Sequence, residues 1–185
     1  MKNLVTVALG ATLALTVVGG LMVFNQKQGA DHGTEHSAAQ QPTVSEAIAW
    51  QSYDEGLTIA ASQNKLVMVE FFATWCGYCK KMDNTVFPDA NVRRELEKYF
   101  VPVRVTESSL NEVQFKGKAI TEQALTQEFG VTGFPTLVFL DQSGEPITKI
   151  PGFVPADTLE GALQFIGTGS YETMDYETFK KKNQS

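Results

Sequence analysis

Cysteine and histidine are the scarce residues of this chain, two of each in 185 residues. Two cysteines cannot staple a small disulfide-rich fold, and they cannot supply a four-thiolate zinc site. Basic residues are outnumbered as well, with Lys plus Arg at 15 against Asp plus Glu at 21, a formal charge of −6. An acidic chain without a basic stripe is poorly matched to phosphate backbones, so no nucleic-acid partner is expected. The one basic cluster, Lys180, Lys181 and Lys182, reads as a solvated helix end. Charged residues make up only 19% while hydrophobic residues reach 43%, with 12 Phe. That composition excludes global disorder. At roughly 150 residues per domain, the length leaves room for one domain with extensions.

Charge is absent altogether from Leu4 to Phe24. A helix of about 20 apolar residues spans a bilayer core, and this run has no polar stripe of the kind a core helix carries. Residues 1–24 are therefore read as a signal peptide or an N-terminal transmembrane anchor. The run is longer than the roughly 7–15 residues of a signal-peptide core and no A-x-A site follows it, which favours the anchor. Val18-Gly19-Gly20 is the available small-residue cleavage site. Lys2 precedes the run and Lys27 is the only nearby cation after it, so the positive-inside rule places the remainder outside the cytoplasm. Residues 25–44 are polar and read as a flexible linker. His32, Glu35 and His36 lie there, where Gly29 and Gly33 argue against a helix, and read as solvated side chains rather than metal ligands.

A domain is expected over residues 45–168. Ser45 to Ser62 has helix-like spacing with a break near Tyr53–Gly56. Leu66 to Phe72 is a short, nearly continuous apolar run, the pattern of a strand buried on both faces. A helix opens at the two cysteines and ends before Pro88; another follows Asp89 as its cap and runs to Tyr99. Val101 to Val105 is a second strand, and Glu107 to Lys118 a polar excursion. Ile120 to Phe129 is a helix closed by Gly130. Thr136 to Leu140 and Ile147 to Ile150 form a hairpin around Asp141-Gln142-Ser143-Gly144. A helix spans Pro155 to Ile166, and residues 169–185 form a helical tail. Alternation followed by a hairpin predicts an α/β fold, a small mixed β-sheet with helices on both faces.

The cysteines stand as Cys76-Gly77-Tyr78-Cys79 directly after the buried strand. A helix start offers unpaired N–H groups and the positive end of the dipole, which favour a thiolate at Cys76. Cys79 lies one turn on and faces inward. Cys76 can attack a disulfide, and Cys79 can resolve the mixed disulfide that results. A purely structural disulfide is the weaker reading, because so short a loop constrains the unfolded chain little. Half of a metal site would need remote histidines, and only those of the linker exist; no metal is expected. The redox-active pair is itself the only cofactor.

Trp75-Cys76-Gly77-Tyr78-Cys79-Lys80, together with Gly133-Phe134-Pro135-Thr136, resembles the thioredoxin superfamily over roughly residues 45–168. The resemblance implies a thioredoxin-like fold and thiol–disulfide exchange. It implies that Pro135 is the cis-proline whose loop binds the substrate backbone, and that Phe134 before it tunes thiol acidity and substrate choice. Trp75, Gly77 and Tyr78 flank the thiols as substrate-contacting positions. Glu70 matches a buried acid that takes the proton of the inner thiol; burial would raise its pKa and suit it to accept from Cys79. Arg104 on the next strand either pairs with Glu70 or reaches out to solvent. Tyr78 replaces a proline common in thioredoxin. Gly-Tyr at this place also occurs in extracytoplasmic disulfide isomerases and exported thioredoxin-like proteins, and it predicts a somewhat more oxidising pair.

Further stretches extend the likeness: Phe71 to Cys76, Phe87-Pro88-Asp89-Ala90-Asn91-Val92, Val103-Arg104-Val105-Thr106 and Pro151-Gly152-Phe153. They are similar to the C-terminal thioredoxin-like domain of the periplasmic thiol reductases of the DsbD family. The likeness implies a periplasmic location, anchored to the inner membrane or secreted. It also implies protein disulfides as substrates, cytochrome apoproteins among them, and a separate membrane thiol-reductant donor. The expected activity is that of a protein disulfide reductase. A disulfide oxidase or isomerase is the alternative, and a Cu(I)-binding metallochaperone a more distant one, lacking the distal histidine within the domain.

Overall fold

The computed structural model describes residues 47–183. The expected anchor and the whole linker, with its histidines, lie outside the described residues. Among the described residues no helix is long and apolar enough to cross a membrane.

Among the described residues, six α-helices and six strands follow in the order α1 (Tyr53–Gln63), β1 (Leu66–Phe72), α2 (Gly77–Thr85), α3 (Ala90–Tyr99), β2 (Phe100–Thr106), β3 (Glu112–Phe115), β4 (Lys118–Thr121), α4 (Glu122–Glu128), β5 (Thr136–Leu140), β6 (Pro146–Pro151), α5 (Ala156–Gly167) and α6 (Tyr176–Asn183). A 3₁₀ turn, Ser170–Glu172, joins the last two helices. The main sheet has the order β2-β1-β5-β6. β1 runs parallel to β2 and antiparallel to β5, and β5 pairs antiparallel with β6. The fold is the expected mixed sheet with helices on both faces.

Strand alternation divides the core into two layers. Val67, Val69, Phe71, Val101, Val103, Val105, Val138 and Leu140 pack with Tyr53 and Ala60 of α1 and Leu125 of α4. Met68, Phe100, Leu137 and Phe139 face the other way, onto Met82 of α2, Val92 and Leu96 of α3, and Leu159 and Leu163 of α5. Glu70 and Arg104 belong by the same alternation to the α2 face, and they stand opposite each other in the β1–β2 register. α1 lies so close to β2 that a Cβ on Gly56 would overlap the Val103 side chain.

Three boundaries differ from the sequence reading. The first helix begins at Tyr53, not Ser45. Ser52 is the N-cap residue, with its hydroxyl donating to the Glu55 carboxylate at 2.8 Å, and the preceding residues run along β2 instead. There Gln51 N–H donates to the Pro102 carbonyl at 2.9 Å, and Arg104 N–H donates to the Gln51 carbonyl at 3.1 Å. The polar excursion after β2 holds a hairpin, β3–β4. Lys116 and Gly117 both have positive φ, the geometry a two-residue turn requires. Ile120 belongs to β4, because Thr121 caps α4 by accepting from Ala124 N–H at 3.1 Å. Asp89 caps α3 as the sequence suggests, accepting from Asn91 and Val92 N–H groups. The tail closes on the domain through Phe165, Tyr176 and Phe179, whose rings pack with Phe165 at 5.4 and 5.2 Å from the latter two.

Candidate active site

β1 ends at Phe72, and the chain turns through Ala73, Thr74 and Trp75 into α2. Cys76 is the N-cap of that helix, and Cys79 sits in its first turn. The two are joined in a disulfide with Cα atoms 5.3 Å apart. The Cys79 N–H donates to Cys76 Sγ at 3.0 Å, so one of the unpaired amides of the helix start is directed at the outer sulfur. That contact and the helix dipole favour negative charge on Cys76 over Cys79. Cys76 is 4% exposed and Cys79 is 0% exposed. The pair packs with Ala73, Phe72 and Phe134 in a small apolar cluster.

Phe134 brings the second loop to the sulfurs. The Phe134–Pro135 peptide bond is cis. Thr136 follows it into β5, where it pairs with Phe71 of β1, so the loop is fixed to the same end of the sheet as the cysteines. The Pro135 carbonyl accepts from Gly152 N–H at 2.8 Å, which ties this loop to the segment after β6.

Two exposed rings bracket the disulfide. Trp75 is 69% and Tyr78 61% exposed. Trp75 stands edge-on to Phe134 with ring centroids 5.8 Å apart, and its indole Nε1–H donates to Glu107 at 2.8 Å. Tyr78 leans on Phe153 at 6.0 Å. Gly77, the first residue of α2, leaves open space where a Cβ would project.

Glu70 is fully buried on the α2 face. Arg104 does not reach out to solvent but donates to Glu70 Oε2 through Nε at 2.7 Å and Nη2 at 2.6 Å. Its guanidinium also pairs with Asp83 of α2 and lies between the faces of Trp50, at 4.2 Å, and Phe72, at 4.7 Å. Glu70 Oε1 has no hydrogen-bond partner. Burial pushes the Glu70 carboxyl up to about 7, against the opposing pull of Arg104; Asp83 adds a smaller upward push. Asp83 lies four residues after Cys79, on the same side of α2. Sequence reading left Arg104 undecided and missed Asp83 and Trp50. The signal for Asp83 was its i,i+4 spacing from Cys79; Trp50 gave none, because its position depends on the extended segment before α1.

Among the described residues no three His, Cys, Asp or Glu side chains gather into a metal site.

Comparison with known proteins places this arrangement. A thioredoxin-like domain family matches residues 53–167. The thiol:disulfide interchange protein DsbD of Actinobacillus pleuropneumoniae is 31% identical over 101 residues, covering 54% of this chain and 16% of that protein. The chain spans about a fifth of the length of the DsbD proteins it matches, 22% for that of Pseudoalteromonas atlantica. A thioredoxin-fold protein from Helicobacter pylori superposes with a TM-score of 0.58 at 26% identity, over 65% of this chain and 80% of that one. A putative disulphide-isomerase from Bacteroides thetaiotaomicron does so with a TM-score of 0.54 at 30% identity, over 72% of this chain and all of the other, 100%. With its Cys-x-x-Cys pair at a helix start beside a cis-proline loop, the chain belongs to the thioredoxin-like domain family.

Proposed function

We propose that this protein works outside the cytoplasm as a protein disulfide reductase, with Cys76 attacking and Cys79 resolving. The observation that carries this reading is the asymmetry of the pair: the sulfur that receives the Cys79 N–H is the one at the helix cap, and the other is fully enclosed. In the reduced protein the Cys76 thiolate attacks one sulfur of a substrate disulfide. That S–S bond breaks, a mixed disulfide forms, and the departing substrate thiolate takes a proton from water. Glu70 then accepts the Cys79 proton, and the Cys79 thiolate attacks Cys76 Sγ. The second substrate thiol leaves with a proton, and the Cys76–Cys79 disulfide remains. The substrate has gained two electrons and two protons.

Trp75, Gly77, Tyr78, Phe134 and Pro135 form the surface that meets the substrate. A dithiol donor in the membrane reduces the Cys76–Cys79 disulfide back to the dithiol and is itself oxidised to a disulfide, and residues 1–24 hold the domain beside it as an anchor, with 25–44 as tether and 169–185 as a helical tail. The likeness to DsbD supports the reducing direction and the periplasmic location.

Insulin reduction with dithiothreitol as electron source tests the reading. Wild type is expected to exceed both Cys76→Ser and Cys79→Ser. Cys79→Ser is further expected to accumulate mixed disulfides with periplasmic proteins, because the resolving sulfur is gone. A wild type no faster than either variant would overturn the assignment.

A further inference from the structure

The two sides of the redox centre differ in charge. On the Trp75 side the nearest carboxylate, Glu107, is occupied by the indole N–H. Directly after Cys79, α2 carries two exposed lysines, Lys81 three residues on from Tyr78 and Lys80 four residues on from Cys76. Lys81 Nζ lies over the Phe153 ring at 4.4 Å from its centroid, and that ring also supports Tyr78. Phe153 in turn follows Gly152, which is hydrogen-bonded to the Pro135 carbonyl. A half-buried ring therefore fixes both a lysine and an exposed tyrosine beside the disulfide, and connects them to the proline loop. The next acid along α2, Asp83, is already engaged by Arg104. The segments 131–135 and 151–155 contain no charged residue at all. In a chain with formal charge −6, this is a local basic shoulder with an aromatic floor.

We propose that this shoulder, Tyr78, Phe153, Lys80 and Lys81, makes the centre selective for disulfides set in acidic segments of partner proteins. The proposal rests on the reading of the site as a protein disulfide reductase and names its substrate class. Tyr78 and Phe153 give the segment an apolar wall next to the attacked sulfur. The lysines complement carboxylates flanking the substrate cysteine. Complementary rim charges act mainly on encounter and on the choice between partners. Each exposed pair is worth less than about 1 kcal/mol, or about fivefold at most, and the effect fades as salt screens it.

The test uses two disulfide-bonded peptides identical except that Asp or Lys flanks each cysteine. The readout is the ratio of kcat/KM for the acidic peptide to that for the basic one, at low and high ionic strength. Wild type is expected to favour the acidic peptide by about threefold or more at low salt. The double variant Lys80→Glu with Lys81→Glu is expected to reverse the order, and high salt to bring both ratios towards one. The control, Lys65→Glu with Lys98→Glu, makes the same change in net charge at the far end of β1 and β2, and is expected to keep the wild-type order. Equal ratios in wild type and the Lys80/Lys81 variant, or the same shift in the control, overturn the proposal while leaving the reductase reading intact. Reduction of neither peptide, with insulin also untouched, overturns both.

Discussion

Arg104 holds one oxygen of Glu70 and leaves the other bare. Both its Nε and Nη2 converge on Oε2, while Oε1 stays buried without a partner. A carboxylate held on both oxygens would be fixed in its charged form; one held on a single oxygen keeps a site where a proton can sit. Burial pushes this carboxyl up to about 7 in spite of the adjacent guanidinium, and the bare oxygen is where the proton can reside.

The first prediction concerns the resolving step. If Glu70 is the base that takes the Cys79 proton, single-turnover decay of a preformed mixed disulfide should speed up as pH rises through about 7. Glu70→Gln should slow the step by about 100-fold at pH 7 and move its rise towards the free thiol range, about 8.5. An unchanged pH profile in the variant would remove Glu70 from the proton path.

Stability should follow the same group with the opposite sense to a salt-bridged surface acid. The Glu70 pKa is raised from 4.5 in the unfolded chain to about 7 in the fold. Between those values the native state binds more protons than the unfolded state, so this group's contribution falls as pH rises and levels off above about 7. The size is on the order of 3 kcal/mol for a shift of this extent. Glu70→Gln should flatten that fall in urea denaturation series between pH 4.5 and 8. Arg104→Leu should instead carry it to higher pH, since the group that favours the charged form is gone. A Glu70→Gln series parallel to wild type would contradict the account.

A third prediction is purely steric. Gly56 of α1 faces the Val103 side chain with no room for a methyl group. Gly56→Ala should cost about 1–3 kcal/mol through overpacking, although alanine is the better helix former. A rise in Tm would show that α1 can move away from β2 freely.

The last prediction bears on Tyr78. Its ring rests on Phe153, and a tyrosine there leaves the first turn of α2 without the fixed φ that a proline would give. The Cys76–Cys79 couple is expected to lie above thioredoxin's potential of about −270 mV, and Tyr78→Pro to lower it. Equilibration with glutathione buffers reads both values.

Much of the fold was legible because its signals are short-range. The apolar run of β1, the Asp89 cap and the turn at Asp141–Gly144 each announce themselves within a few residues. The Cys-x-x-Cys and Phe-Pro-Thr motifs gave the site for the same reason. What escaped depends on contacts between distant segments. The stretch before Tyr53 looks helical by composition, yet the open flank of β2 draws it into extended pairing through Gln51. The β3–β4 hairpin was hidden by polar residues, although Val113 and Phe115 alternate and Gly117 marks the turn. The partner of Glu70 could not be chosen from sequence, because only the β1–β2 register sets Arg104 opposite it.

The sulfur pair issues from the end of β1, an inner strand paired along its length with β2 on one edge and with β5 on the other. Its carbonyls and amides are thereby committed to neighbours on either edge, and both its faces are covered. Electron transfer at Cys76 and Cys79 is thus mounted at the end of a strand held on both edges and covered on both faces. Switching between disulfide and dithiol should disturb little beyond the first turn of α2, and so low a reorganisation lets the same surface release one partner and receive the next without refitting.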